Sequence, residues 1–285
     1  MASSPTVWRR WLAHELLRLR KAAGLERADV AKVIRCTSQK IGHLETAVVP
    51  PKIRDLEEVL LPMYHVPQER WPYYVQAARD ARQKGWWESH ADALPGWFSL
   101  YVGLEQGASE LFCWEPLLVN GLLQTPGYAS AVLRGDTVER SEQDSERQLQ
   151  IRLERQRILG GDDPPRLWMV LNEAVLHTNV GGTDVMRAQL DHLAKTAKRP
   201  KVTIQVLRQD VGAHPGMIGG FSILGFPTDG DPGVVYLENR TGALYLEQPF
   251  ELKDYRIAWQ HLVGLARSPA ASVDLITTIA KKEYP

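Results

Sequence analysis

The chain's 285 residues, 44% hydrophobic and 24% charged, have the composition of ordinary globular protein and are enough for two domains. Charges balance overall, yet residues 1–85 hold 15 Lys and Arg against 9 Asp and Glu, net +6, and residues 86–285 hold 19 against 25, net −6. An anionic partner such as phosphate is therefore expected at the amino-terminal end. No apolar run approaches the roughly 20 residues of a membrane span, MASSPTVWRRW carries no signal-peptide core, and Cys36 and Cys113 lie far apart with no histidine at metal spacing. These features argue against a membrane protein, a disulfide framework or a metal site, and predict a cytoplasmic protein without a cofactor.

In chain order, Leu12, Leu16, Leu19 and Ala23 mark one face of a helix over residues 8–23 that Gly24 ends. Next, LERADVAKVIRCTSQKIGHLETA reads as two short helices and a tight turn, a helix-turn-helix. Val30, Ala31 and Ile34 line the first helix, with Glu26 and Asp29 in its first turn. Thr37 is placed to cap the second, whose Ile41 and Leu44 point inward. Ser38, Gln39, Lys40 and His43 point out and can all hydrogen-bond. In this motif the start of the second helix enters the DNA major groove, so Ser38, Gln39 and Lys40 are expected on base edges, His43 one turn along, and Arg27, Thr37 and Lys52 on phosphates. A fourth helix follows Pro51 through Ile53, Leu56, Leu60 and Met63, with Pro62 expected to end or kink it, and a fifth occupies residues 72–84.

Residues 9–65, through LRLRKAAGLERADVAKVI and TSQKIGHLE, resemble the DNA-binding domains of phage-repressor and Xre-type regulators. The resemblance implies a buried ion pair between Arg20 on the first helix and Glu45 at the end of the recognition helix. It also marks two departures. Arg27 stands where the family often has a phosphate-contacting glutamine, a role its charge could still fill. Ala47 stands where glycine usually follows the recognition helix; alanine disfavours the left-handed cap by about 1 kcal/mol, so a different exit turn is expected.

Residues 86–104, WWESHADALPGWFSLYVGL, read as an aromatic hinge and docking segment in which Trp86, Trp87, Trp97, Phe98 and Tyr101 cover an interdomain or subunit seam or seal the second domain's core. Beyond it come a short strand at residues 110–115, a helix started by Thr125-Pro126 and stopped by Gly135, and a charged helix over 141–159. On that helix Arg147, Arg152, Arg155 and Arg157 alternate with Glu146 and Glu154, the pattern of a solvated face. Strands at 166–171 and 201–207 flank a helix at 184–197, a β-α-β unit suited to parallel pairing. Thr183 is the expected cap of that helix, with Gly181-Gly182 as its turn. Strands at 221–226, 234–238 and 243–247 form a meander, with Asp229 to Gly233 as one turn, and two helices close the chain, over 250–267 and from Ser268 to Lys282.

Residues 86–268 resemble the carboxy-terminal domain of a large group of actinomycete Xre-type regulators called antitoxin-like, through RQKGWWESHADALPGWFSLYVGLE, WEPLLVNGLLQTPGYASAVLR, LNEAVLHTNVGG, VTIQVL, GAHPGM and VVYLENRTGALYLEQP. Asn120 replaces a usual proline before GLLQT, which predicts a looser loop. The resemblance implies transcriptional control, with a small protein from an adjacent gene as antagonist or corepressor.

The expected architecture is a multidomain chain of α and α+β class: a five-helix helix-turn-helix domain (1–85), the aromatic segment (86–104), and a mixed α+β partner- or ligand-binding domain (105–285) with a sheet of about five strands packed by helices. A single such motif reads few base pairs, so a homodimer on a palindromic double-stranded operator is expected. Glu173 and His214, at the ends of strands, could serve as an acid-base pair. No nucleophile, metal trio or phosphate fingerprint accompanies them, which predicts a non-enzyme in which Glu173 satisfies backbone donors and His214 shapes a turn. A small-molecule pocket lined by some of Trp168, Tyr236, Tyr245 and Trp259 is the alternative input; as core residues, the same side chains would have no such role.

Overall fold

A computed structural model describes residues 4–90, 93–136, 141–228 and 230–285 and divides the chain into two units, Met1–Ser89 and His90–Pro285. In the first, helix α1 (Pro5–Ala22) begins three residues before the apolar spacing requires, because the Ser4 hydroxyl accepts from Thr6 N at 3.2 Å and Pro5 is pre-set for the first turn. Helix α2 (Arg27–Ile34) opens with a reciprocal box in which Glu26 and Asp29 each bind the other's backbone N–H. Helix α3 (Ser38–Glu45) is capped by Thr37, whose hydroxyl accepts from Lys40 N at 3.2 Å. Val30, Ala31, Ile41 and Leu44 pack with Trp11, Leu12 and Leu16 of α1 in one buried core, so the apolar stripes read from the sequence are the faces that meet.

The turn after α3 differs from expectation. Ala47 adopts the left-handed conformation, φ +60, despite its Cβ, and His43 O accepts from Val48 N at 3.0 Å in the same turn. The exit turn therefore keeps the geometry glycine favours, and alanine tolerates it at some cost. The fourth helix is distorted just before Pro62 and ends just after it, as expected of that proline: α4 (Ile53–Asp55) continues as a π turn (Leu56–Leu60), with Leu61 N bonded to Leu56 O, into α5 (Leu61–Met63). Widening the turn accommodates a proline that has no N–H to give and whose ring crowds the preceding turn. Helix α6 (Trp71–Asp80) follows a 3₁₀ turn at Gln68–Arg70 and stops short of Lys84.

The second unit is built on one six-stranded sheet of order β3-β2-β1-β4-β5-β6, one strand more than the sheet of about five expected. Strand β1 (Glu110–Glu115) pairs in parallel with β2 (Arg166–Asn172) and antiparallel with β4 (Phe221–Gly225). Strand β3 (Val202–Leu207) lies parallel to β2, and β5 (Val234–Asn239) and β6 (Gly242–Leu246) complete the antiparallel meander. Of the β4–β5 turn, Asp229 lies outside the described residues, as do Ala91 and Asp92 of the aromatic segment.

Helix α7 (Gly96–Gly107) carries Tyr101, stacked on Tyr236 of β5 at 4.1 Å, and Tyr245 donates to Trp97 O at 2.5 Å. The aromatic segment is thus split between the units: Trp86 and Trp87 belong to the first, while Trp97, Phe98 and Tyr101 seal one face of the second unit's sheet. Helices α8 (Pro126–Arg134), α9 (Glu142–Arg155), α10 (Ala174–His177) and α11 (Thr183–Thr196) follow. The cap of α11 is Gly182 at φ +94, not Thr183, which is already helical. Helix α12 (Pro249–Leu265) lays Trp259 and Leu262 on the opposite sheet face, and α13 (Pro269–Glu283), capped by Ser268, packs on α11 and β3.

Ala47→Gly is expected to raise the stability of the first unit by about 1 kcal/mol, since glycine meets no Cβ penalty at φ > 0. Chemical denaturation of the full chain, following the first unit's transition, checks this; an unchanged or lower midpoint contradicts it.

Candidate functional site

The helix-turn-helix surface is set by a carboxylate beneath it. Glu45, at the end of α3 and almost wholly buried, accepts from Arg20 Nε at 2.5 Å and Nη2 at 3.2 Å, and from Arg27 Nε at 2.7 Å. Arg20 also donates to Leu25 O at 2.6 Å, tying the α1–α2 corner to the same group. The hydrogen bond to Glu45 holds the Arg20 guanidinium above its ordinary pKa against the desolvation that would lower it. Arg27, 45% exposed, bridges from Glu45 across Gly42, where an added Cβ would sit 3.4 Å from its Nη1. Glycine at that point of α3 therefore gives the guanidinium room to lie along the helix with its outer edge in solvent.

Of the side chains expected on DNA, Thr37, Ser38, Gln39 and Lys52 are exposed, and Lys40 and His43 are half-buried. Lys40 Nζ lies 3.8 Å from Asp55 Oδ2, so its charge is shared with α4. The start of α3 presents Ser38 and Gln39 outward while Ile41 and Leu44 anchor the helix from behind. Thr37 caps that start, whereas Arg27 lies along the carboxyl half of α3, against Gly42 and Glu45.

In the second unit the structure separates residues that the sequence groups. Glu173 Oε2 accepts from Gln209 N at 3.1 Å, and His214 Nδ1 accepts from Gly216 N at 3.2 Å while its ring meets Trp114 edge-on at 5.4 Å. Trp168 and Trp259 pack with Phe112 on one face of the sheet, Phe112 stacking on Trp259 at 5.6 Å. Tyr236 and Tyr245 are cross-strand partners on the other face. One pocket cannot be lined by all four aromatics, because Trp168 and Trp259 lie on one side of the sheet and Tyr236 and Tyr245 on the other; Tyr236 alone of them lines a cavity of the second unit.

That cavity, about 320 Å³, opens at the carboxyl ends of β1 and β5. Three features of it were not read from the sequence. Arg155, taken there as part of a solvated face, is buried, bonded bidentately to the fully buried Glu105 at 2.8 Å for both Nε–Oε2 and Nη2–Oε1. Its guanidinium also lies 4.9 Å from the Phe98 ring centroid and 5.4 Å from that of Tyr101. Burial opposes its charge, but Glu105 holds its pKa above that of ordinary arginine. Arg152, half-buried on the same helix, donates to Gln124 Oε1 at 2.7 Å. Asn120, expected to loosen its loop, ties it instead: Oδ1 accepts from Leu122 N at 2.9 Å and Nδ2 donates to Glu115 Oε1 at 2.6 Å. Proline has no side-chain amide and could make neither bond. The available signal was Glu105 itself, an acid in the otherwise apolar run SLYVGLEQG that needs a buried cation.

Among the described residues, no three His, Cys, Asp or Glu side chains come together as metal ligands, and no helix is long and apolar enough to cross a membrane. Comparison with known proteins gives two matches: a helix-turn-helix domain over residues 11–70, and a family described as a domain of unknown function (DUF5753) over residues 98–278. No curated protein and no solved structure matches the chain.

Burial pushes the Glu115 carboxyl up from 4.5 to about 7, with Glu238 adding to the shift and the Asn120 hydrogen bond and Arg155 charge opposing it. A carboxyl whose folded pKa exceeds its unfolded one stabilises most when protonated, so stability falls as pH rises from about 4.5 through about 7. Glu115→Gln, which keeps an acceptor for Asn120, is expected to remove that fall. Denaturant midpoints of the second unit at the two ends of this range check it, and equal pH slopes for the variant and the natural chain would contradict it.

Proposed function

The chain belongs to the family defined by the domain of unknown function DUF5753, here preceded by a helix-turn-helix domain, and from that premise we propose that it is a sequence-specific transcriptional regulator. It binds an operator as a homodimer and receives a regulatory input through its carboxy-terminal domain. The observation that carries this reading is the exposed start of α3, with Ser38 and Gln39 outward, held by the Arg20–Glu45–Arg27 cluster on a segment of net charge +6. A helix that only packed would not need a hydrogen-bonding face there. In the complex, Ser38, Gln39 and Lys40 read base edges in the major groove, with His43 further along, while Arg27, Thr37 and Lys52 contact phosphates and set the register.

Such a motif covers a few base pairs, so two copies on half-sites about one helical turn apart supply adequate affinity and discrimination. The resemblance to antitoxin-like regulators of the Xre type supports a small protein from an adjacent gene as the input, in a cytoplasmic, nucleoid-bound setting. A purely catalytic role is not proposed: Glu173 accepts from the backbone N–H of Gln209, which follows β3, and His214 from that of Gly216 in its own loop. A small molecule as input is favoured by one specific observation, the charged cavity at the end of β1.

Gln39→Ala is expected to weaken operator binding by roughly 1 to 3 kcal/mol and leave non-specific binding unchanged. Fluorescence anisotropy with an operator selected from random duplexes and with an unrelated duplex at equal salt checks it. Equal loss on both DNAs would contradict base reading by this residue.

A further inference from the structure

The cavity of the second unit sits where the sheet changes from parallel to antiparallel pairing, at β1 between β2 and β4. Ligands of mixed sheets collect beyond the carboxyl ends of strands at such junctions, because the flanking loops diverge there. Strands β1 and β5 run in the same direction, each being antiparallel to β4, so Glu115 and Glu238 both stand at that end. They also share one face with Tyr236, as the paired positions Cys113, Ser222 and Tyr236 show.

Two groups on the cavity wall, the buried Arg155 and the half-buried Glu115, each keep one polar atom that makes no hydrogen bond with the described residues. Arg155, its side chain 6% exposed, spends Nε and Nη2 on Glu105. No acceptor among the described residues lies within hydrogen-bond distance of its Nη1, which lies beside Gly121 on the cavity wall. Glu115 receives Asn120 on Oε1 only; Oε2 has no donor among the described residues. One orphan is a cationic donor and the other a carboxylate acceptor. A ligand that satisfies both needs an anionic and a cationic end a short distance apart. Glu238, which accepts from Tyr236 at 3.0 Å, adds negative charge on the Glu115 side, and Arg152 adds positive charge on the Arg155 side. Leu117, Leu118 and Val132 add apolar surface to the cavity lining.

We propose that this cavity binds a small zwitterion of the α-amino-acid class with an uncharged side chain, the carboxylate on Arg155 Nη1 and the ammonium on Glu115. The Glu105 pair keeps Arg155 in place and ionised without the ligand, so the site is preformed and the ligand need not order it. The inference deepens the reading of this domain as the receiver of an input, but it is measured without DNA. Its failure is therefore distinguishable from failure of the regulator reading, which rests on operator binding.

Titration calorimetry on the full chain with L-leucine and L-phenylalanine is expected to show saturable one-to-one binding. The half-ligands 2-phenylethylamine and 3-phenylpropanoate, each lacking one charged end, are expected to bind about tenfold more weakly or less, as loss of a charged hydrogen bond requires. Glu115→Gln is expected to reduce phenylalanine binding by a similar factor, with an unchanged circular dichroism spectrum and unchanged binding to a selected operator in the absence of amino acid. No saturation by either amino acid, a half-ligand that matches phenylalanine, or a Glu115→Gln chain that binds it normally would each overturn the proposal.

Discussion

Glu45 is the constraint on which the recognition surface depends. It is the last residue of α3, yet its carboxylate is held by guanidinium groups from α1 and α2, so one buried acid fixes three helices against one another. Burying a carboxylate is unfavourable by several kcal/mol unless it is fully paired, and breaking such a pair leaves an uncompensated charge at a cost of about 3 to 5 kcal/mol. The orientation of α3 is thereby discrete: its carboxyl end is pinned below, its amino end is capped by Thr37, and Ser38 and Gln39 follow the cap outward. Packing by Ile41 and Leu44 alone would allow the helix to roll by small rotamer changes, which a base-reading face cannot tolerate.

The second unit repeats this device in a different place. Glu105 on α7 and Arg155 at the end of α9 form a bidentate buried pair, with the guanidinium beside the stacked Phe98 and Tyr101 rings, and Arg155 stands at the wall of the cavity beside β1. In the first unit the ion pair positions a surface; in the second it positions a pocket. The central position of β1 gives that pocket its location, since parallel pairing on one side and antiparallel pairing on the other part the loops at its carboxyl end. Asn120 then closes one loop over Glu115 through two side-chain hydrogen bonds.

Periodicity and caps made the secondary structure legible. Thr37, Thr125 and Ser268 each cap a helix through the side chain. Backbone adaptation was legible only in part: Pro62 announces a distorted helix end but not that a π turn forms before it, and the left-handed Ala47 runs against a local preference. Charge on helices was legible only as pattern. Arg147, Arg152, Arg155 and Arg157 look alike in the sequence, and only the fold shows that Arg155 turns inward to Glu105. The aromatic residues grouped as one pocket were separated for a simpler reason, since Trp168 and Tyr236 lie on different strands and no register between those strands can be read from the sequence alone.

The central claim is that the outward flank of α3 meets base edges. Selection of the full chain's preferred duplexes from a random pool, sequenced over successive rounds, measures this most directly. The account predicts enrichment of one palindromic sequence with half-sites about one helical turn apart. A bound pool that keeps the base composition of the starting pool, with binding that depends on salt alone, would contradict it.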